Sequence, residues 1–272
     1  MSTSVFDRLF LAPDLKAAKQ KLQRARILLI GSGGLGSEIA LKLAGSSIGH
    51  LTIVDADKVS PHNIPHSPLF TPGNVGSFKV HAVSSSLRWK HPEIGITAIP
   101  KFIQQCENFP YADYDLIICA PDNNAVRWYI NKQAVDYKVP ALFLGVSGPN
   151  QQWSGYVQLY LPELTACFLC ISKQGSVIAN SFYEEAGSTG DIDADRQRCG
   201  GENVAAPMLA PVVGTIATLA SSMAVQIVGN INTPPSYIYI DLKSFHLQAR
   251  QINPMPSCSV CGKVVDYPLV FE

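Results

Sequence analysis

The stretch from Arg26 to Asp55 restricts the fold of this chain more than any other. It opens on an apolar run, Arg26-Ile-Leu-Leu-Ile30, and turns through Gly31-Ser-Gly-Gly-Leu-Gly36. A helical stretch from Ser37 to Ala44 follows, then Leu51-Thr-Ile-Val54, ending on Asp55. Strand, glycine turn, helix, strand, acid is the opening unit of a doubly wound nucleotide-binding sheet. Glycine lets the backbone approach a phosphate, and the helix that follows aims its first N–H groups at the anion. Gly31, Gly33, Gly34 and Gly36 are therefore candidate cradle residues, and Asp55 is placed to accept hydrogen bonds from ribose hydroxyls. The plain alternatives are a tight structural turn and a surface acid capping it. Nicotinamide-dependent enzymes use the same turn, so it does not choose the nucleotide by itself.

The alternation continues downstream. Residues 14–25 are charged and amphipathic and are expected as a helix, as are Lys79 to Trp89 and Asn124 to Tyr137. Ile96-Thr-Ala-Ile99, Leu116-Ile-Ile-Cys-Ala120 and Ala141-Leu-Phe-Leu144 are expected as strands, the second buried and parallel by its unbroken apolar run. The pattern then changes. Gly155 to Tyr160 alternates as an antiparallel strand does, Thr215 to Ile227 is an apolar helix rich in small residues, and Tyr237-Ile-Tyr-Ile240 is a late strand. The polar stretch from Gly175 to Asn203 is too long for an ordinary connection, which marks it as functional or disordered.

A second constraint joins the middle of the chain to its end. Cys167-Phe-Leu-Cys170 and Cys258-Ser-Val-Cys261 are two Cys-x-x-Cys pairs, the way a chain builds a tetrahedral zinc site. A redox motif needs one such pair and a disulfide needs no such spacing, so a structural Zn2+ held by Cys167, Cys170, Cys258 and Cys261 is the expectation. Cys106 and Cys119 read as structural. His62 and His66 are flanked by Pro61 and Pro65, do not share a helix face, and read as loop residues.

Composition narrows the partners. The chain has 272 residues, 47% hydrophobic, with 21 basic and 21 acidic side chains and a net charge of zero. That is enough apolar material for a substantial core, and it gives no support for a nucleic-acid or anionic-membrane partner. The first residues lack the form of a secretory signal, and no long unbroken apolar stretch reads as a membrane span. Seven cysteines, four of them in metal spacing, suit a reducing compartment, so a cytoplasmic location is expected.

At this point the chain resembles the ThiF/MoeB/HesA family, bacterial relatives of ubiquitin-activating enzymes. The likeness runs nearly end to end: Phe6-Asp-Arg8, the glycine turn, Asp55-Ala-Asp57-Lys-Val-Ser60 with Asn63, and Gly76-Ser-Phe-Lys79. It continues through Asp122-Asn123 with Arg127, both cysteine pairs, and Ala210-Pro-Val-Val-Gly214. The resemblance implies an adenylyltransferase that uses ATP and Mg2+ on the C-terminal glycine carboxylate of a ubiquitin-like or sulfur-carrier protein, or on a peptide. It implies a homodimer in which Arg8 reaches the neighbouring protomer's ATP. It gives Lys79 the phosphates and Asp122 the magnesium, and it places Asp57, Asn63 and Asn123 at the nucleotide. The plain alternatives are a solvated lysine, a helix N-cap and a surface arginine.

Two departures stand out. The family pattern Asn-Leu-x-Arg-Gln reads here Asn63-Ile-Pro-His66-Ser67, so a partly charged imidazole replaces a fixed, bidentate cation. The family's loop cysteine falls on Asn203. Cys199 lies just before it, as a nucleophile in a shifted loop or as an incidental thiol. The expected architecture is α/β: a doubly wound, Rossmann-like sheet continuing into a mixed sheet with a four-cysteine zinc site. Residues 1–150 form the nucleotide-binding half and 151–272 the carrier-binding half, within one continuous domain. The competing functions are a non-catalytic nucleotide-binding partner protein and a nicotinamide-dependent oxidoreductase.

Overall fold

The computed structural model describes residues 5–146, 153–172 and 208–262. A single sheet runs through it. Its strands are β1 (Arg26–Ile30), β2 (His50–Val54), β3 (Gly95–Ile99), β4 (Leu116–Cys119), β5 (Ala141–Val146), β6 (Ser154–Tyr160), β7 (Tyr237–Asp241) and β8 (His246–Arg250). Their order is β3-β2-β1-β4-β5-β6-β7-β8. The first five pair in parallel, and β6, β7 and β8 add on antiparallel. Strand order reverses between β1 and β4, and the crevice at such a switch point is where open α/β sheets bind ligands.

The helices are α1 (Pro13–Arg24), α2 (Gly34–Ala44), α3 (Lys79–Lys90), α4 (Asn124–Asp136) and α5 (Ala210–Gly229). Side chains alternate along each strand, so β1 feeds two cores at once. Ile27 and Leu29 join the helices α1, α2, α3 and α5 on one face. Leu28 and Ile30 join Ile130 and Ala134 of α4, together with Cys167, Cys170 and Cys258, on the other. Burial on both faces is why β1, β4 and β5 are unbroken apolar runs.

Several boundaries differ from expectation. Helix α2 begins at Gly34 rather than Ser37, so the end of the glycine turn is already its first turn. Helix α5 begins at Ala210 rather than Thr215, with Pro211 in its first turn, where a missing N–H costs nothing. Residues Pro61–His66, expected as loop, form a 3-10 helix opened by a Ser60–Asn63 capping box. Strand β8 has no counterpart in the apolar pattern, because it is a largely exposed edge strand.

Among the described residues, α5 alone has the length and composition of a helix able to cross a bilayer, with a mean hydropathy of 1.6, and half of that apolar window is buried inside the protein. Here Val212, Val213, Ile216, Ala217 and Ala220 lie in the core, against α2, β5 and β6. Small residues let it sit close to its neighbours. The polar stretch from Gly175 to Asn203, with Cys199, lies outside the described residues.

Candidate active site

Beyond Ile30 the chain must turn sharply across the end of β4. Gly31 does so at φ +87°, a region open to glycine, and donates its N–H to Val54 O at 2.9 Å. A Cβ at this position would stand 2.8 Å from Ala120 O. The turn is thus pressed against the ends of both neighbouring strands. At Gly36 a Cβ would come within 2.0 Å of Gly31 O, so the first turn of α2 folds directly over the glycine turn. Gly33 is the N-cap of α2 and supplies no side-chain cap. The first N–H groups of the helix therefore remain available to an anion.

Gly34 faces His66. A Cβ there would lie 3.0 Å from His66 O and 3.4 Å from its Cβ. The backbone and Cβ of His66 thus lie at the N-terminal end of α2, and its Nδ1 is buried with no hydrogen-bond partner among the described residues. Ser67, the other departure from the family pattern, is buried, and its hydroxyl accepts Leu69 N–H at 3.2 Å.

Asp55 directly follows β2, beside the turn. Its Oδ2 accepts Ser32 N–H at 2.7 Å and the Ser32 hydroxyl at 3.0 Å, and its Oδ1 accepts Asp57 N–H at 2.8 Å. Three of about four acceptor positions are filled, which leaves room for a ribose hydroxyl. Burial pushes the Asp55 carboxyl above its ordinary value, against the hydrogen bond from Asp57 and the nearby Lys79 charge.

Lys79 opens α3. Its N–H donates to Asp57 O at 2.8 Å, and its Nζ reaches Asp57 Oδ2 at 2.8 Å. Lys79 is mostly buried while Asp57 is exposed, so the ammonium is tethered beside Asp55 by an acid that can move away.

Asp122 and Asn123 lie on the short link from β4 to α4. Asn123 Oδ1 accepts Val126 N–H at 3.0 Å and is the N-cap of α4, so that oxygen is committed to the helix. Asp122 is not the cap. It stands exposed at the C-terminal end of a parallel strand. Asn63 Oδ1 accepts Ser60 N–H and the Ser60 hydroxyl, which fixes the 3-10 helix that carries His66. Arg8 is exposed and precedes the 3-10 turn Leu9–Leu11. The structure therefore gathers the glycine turn, Asp55, Asp57, Lys79 and His66 around one end of α2. Asp122 stands on the link that follows the neighbouring strand β4, and Arg8 stands apart.

On the opposite face of the sheet, the four expected cysteines meet. The sulfurs of Cys167, Cys170, Cys258 and Cys261 all lie within 4.8 Å of one another. Three edges of the cluster measure 3.9 Å (Cys167–Cys170), 3.7 Å (Cys167–Cys258) and 3.4 Å (Cys170–Cys261). A tetrahedron with Zn–S of about 2.3 Å has edges of about 3.8 Å, so four thiolates in this arrangement fit such an ion and leave no open position. The hydrogen bond shared by Cys167 and Cys170 draws the Cys170 thiol down and pushes the Cys167 thiol up, so without an ion the pair shares a proton. Cys119 is fully buried in β4 and its thiol is pushed up to about 12 by burial, in keeping with a packing role.

Asn131 was not named from the sequence, and Arg127 was named without a role. Asn131 on α4 is fully buried; its Oδ1 accepts Phe168 N–H at 2.8 Å and its Nδ2 donates to Cys167 Sγ at 3.6 Å. Arg127, matched only as a family position, donates to Pro121 O at 2.7 Å, Leu144 O at 3.1 Å and Asn124 Oδ1 at 2.9 Å. The signal was the spacing of Arg127 and Asn131, two polar side chains one helical turn apart on α4, of which Arg127 is half-buried and Asn131 buried.

Known proteins share this plan. The Escherichia coli molybdopterin-synthase adenylyltransferase is 28% identical over 249 residues, covering 90% of each chain. The Escherichia coli sulfur carrier protein ThiS adenylyltransferase is 27% identical over 246 residues, covering 90% of this chain and 88% of the relative. Among solved structures, Escherichia coli MccB with the peptide MccA-N7isoASN superposes with a TM-score of 0.75 at 23% identity, over 91% of this chain and 70% of that one. MccB with ATP gives 0.71 at 22% identity, over 91% and 69%. At that identity the superpositions speak for the fold. The ThiF family profile matches residues 7–260, and the chain belongs to the ThiF family.

Proposed function

We propose that this protein uses ATP to adenylate the C-terminal carboxylate of a ubiquitin-like or sulfur-carrier protein, or of a peptide. The observation that carries this is the convergence of an uncapped helix N-terminus, Asp55 and Lys79 on one crevice, with Asp122 at the end of the adjoining strand. Adenylyltransferase relatives that align over nine-tenths of the chain support it.

In the reaction a substrate carboxylate oxygen bonds to the α-phosphorus of ATP. The bond from that phosphorus to the bridging oxygen breaks, giving an acyl adenylate and pyrophosphate. Two anions must meet, so the protein's work is positioning and charge neutralisation. The glycine turn and the N–H groups of α2 hold phosphate oxygens, and Asp55 holds the ribose. Lys79 exchanges Asp57 for a phosphate oxygen. His66, at the same helix end, donates a hydrogen bond to the phosphates where the family has an arginine. Asp122 would hold Mg2+, which supplies charge neutralisation on the triphosphate and the departing pyrophosphate. Asp57, Asn63 and Asn123 contribute to the nucleotide site, the two asparagines with their Oδ1 atoms already committed to local caps. Zn2+ in the cysteine cluster would be structural, tying the segment after β8 to the body of the later half, where the carrier's tail is received.

The protein acts as a homodimer in this account, with Arg8 of one protomer completing the other's site, as an arginine finger supplied in trans does. Two measurements test these points. Equilibrium binding should favour ATP with Mg2+ over NADH; a preference for NADH overturns the adenylating function. Mixing the inactive variants Arg8→Ala and Asp122→Ala should restore part of the activity after subunit exchange. If nothing returns, Arg8 does not act across the dimer.

A further inference from the structure

Asp122 is placed by a backbone link that has few restraints of its own. Pro121 has no N–H to donate, and Asp122 is exposed. The link is held from both ends by other residues. At its start Gly31 presses on Ala120, and at its end Asn123 caps α4. Between them stands a positively charged restraint, Arg127. Its Nη2 donates to Pro121 O at 2.7 Å and to Leu144 O at 3.1 Å, while its Nη1 donates to Asn124 Oδ1 at 2.9 Å.

These three acceptors have different origins. Pro121 O belongs to the link itself, directly before Asp122. Leu144 O belongs to β5, which is hydrogen-bonded to β4. Asn124 is the first residue of α4. One planar guanidinium therefore fixes the link against the next strand and against the helix that follows it. An ammonium has no such planar fork and holds a single point. The same group supplies donors to two backbone carbonyls, which are obligatory acceptors.

From this geometry we infer that Arg127 is the positioning residue for Asp122: it locks the link between β4 and α4 so that the carboxylate is fixed for its cation before nucleotide arrives. Its Nη donors are committed to Pro121 O, Leu144 O and Asn124 Oδ1, and through these contacts it acts on the link that carries Asp122. Preorganisation of this kind lowers the cost of binding the ion. This rests on the proposed role of Asp122 as the magnesium carboxylate.

The test is a Mg2+ titration of ATP binding by calorimetry, on the full chain, for wild type, Arg127→Gln, Arg127→Lys and Asp122→Asn. Arg127→Gln should raise the half-saturating Mg2+ concentration at least tenfold while ATP binding without Mg2+ stays within twofold. Arg127→Lys should recover part of the loss. Equal weakening with and without Mg2+, or no change, overturns the inference, because a merely structural arginine would not separate the two. Asn124→Ala removes only the third contact and should shift the Mg2+ requirement in the same direction by a smaller factor. If the Arg127 variants do not fold, an unchanged Mg2+ requirement in Asn124→Ala overturns the inference. Asp122→Asn separates the two levels. If it leaves the Mg2+ dependence untouched, Asp122 is not the magnesium residue and both fall. If it is impaired while Arg127→Gln behaves as wild type, only the positioning role falls.

Discussion

The nucleotide crevice is built from segments close in sequence, and the cysteine cluster from segments far apart. In the crevice, Gly31 to Gly36, Asp55, Asp57 and Lys79 follow in order, and each is aimed by the strand or helix next to it. Backbone geometry does nearly all the placing, through Gly31 at φ +87° and through α2 starting at Gly34. In the cluster, Cys167 and Cys170 meet Cys258 and Cys261 across the whole later half, and no local element dictates that meeting. Here the segments are joined by the four thiols and by a backbone hydrogen bond from Ala166 N–H to Ile252 O at 2.9 Å. A metal held there would contribute to folding itself, whereas the crevice is a consequence of a sheet that forms for other reasons.

That contrast predicts separable losses. The largest is at Asp122. Asp122→Ala should lower carrier-dependent ATP–pyrophosphate exchange by about a thousandfold, the scale of losing one preorganised charge-stabilising group. Stability should stay within about 0.5 kcal/mol, since the side chain is exposed. Loss of stability along with activity would mean the crevice also holds the fold together. Next comes Cys258→Ser. It should destabilise the protein by several kcal/mol in denaturant unfolding, on the scale of breaking a structural metal site. Metal content should fall with it, and a fully stable, metal-free variant would break the comparison from the other side.

A smaller effect is expected at His66. His66→Arg should hold or raise the exchange rate at pH 8, where an imidazole is mostly neutral and a guanidinium is not, by less than about tenfold. A large loss of rate would give His66 a duty that a fixed cation cannot perform. The smallest effect concerns Asp55 in the ligand-free protein. Burial raises its carboxyl above the ordinary value, so between the two values the folded form binds more protons than the unfolded chain. Its contribution to stability therefore falls as pH rises from about 4 through that window, the reverse of an ion-paired carboxylate. Unfolding of wild type against Asp55→Ala across this range checks the sign, and an opposite slope would show that Lys79 and the hydrogen bonds outweigh burial.

Legibility in the sequence followed the same division. The parallel strands were readable because burial on both faces leaves unbroken apolar runs such as Leu116 to Cys119. The glycine turn was readable because few sequences satisfy its backbone. The metal-type spacing named the four cysteines before any contact was known. Strand β8 was not readable. Its sequence, His246-Leu-Gln-Ala-Arg250, carries the exposed pattern of an edge, where pairing to β7 alone defines it. Arg127 and Asn131 were invisible as partners because a sequence does not show which carbonyl or sulfur a long side chain will meet. Their bonds to Leu144 O and Cys167 Sγ cross between elements that only the fold brings together.

The central claim is that the crevice activates a carboxylate with ATP. The most direct measurement is exchange of labelled pyrophosphate into ATP with a carrier or peptide bearing a free C-terminal carboxylate, beside the same chain capped as an amide. Exchange that requires Mg2+ and the free carboxylate, and that stops with the amide, is the predicted result. Exchange indifferent to the tail, or none with any carboxylate-bearing partner while ATP still binds, would contradict it and leave a nucleotide-binding partner protein in its place.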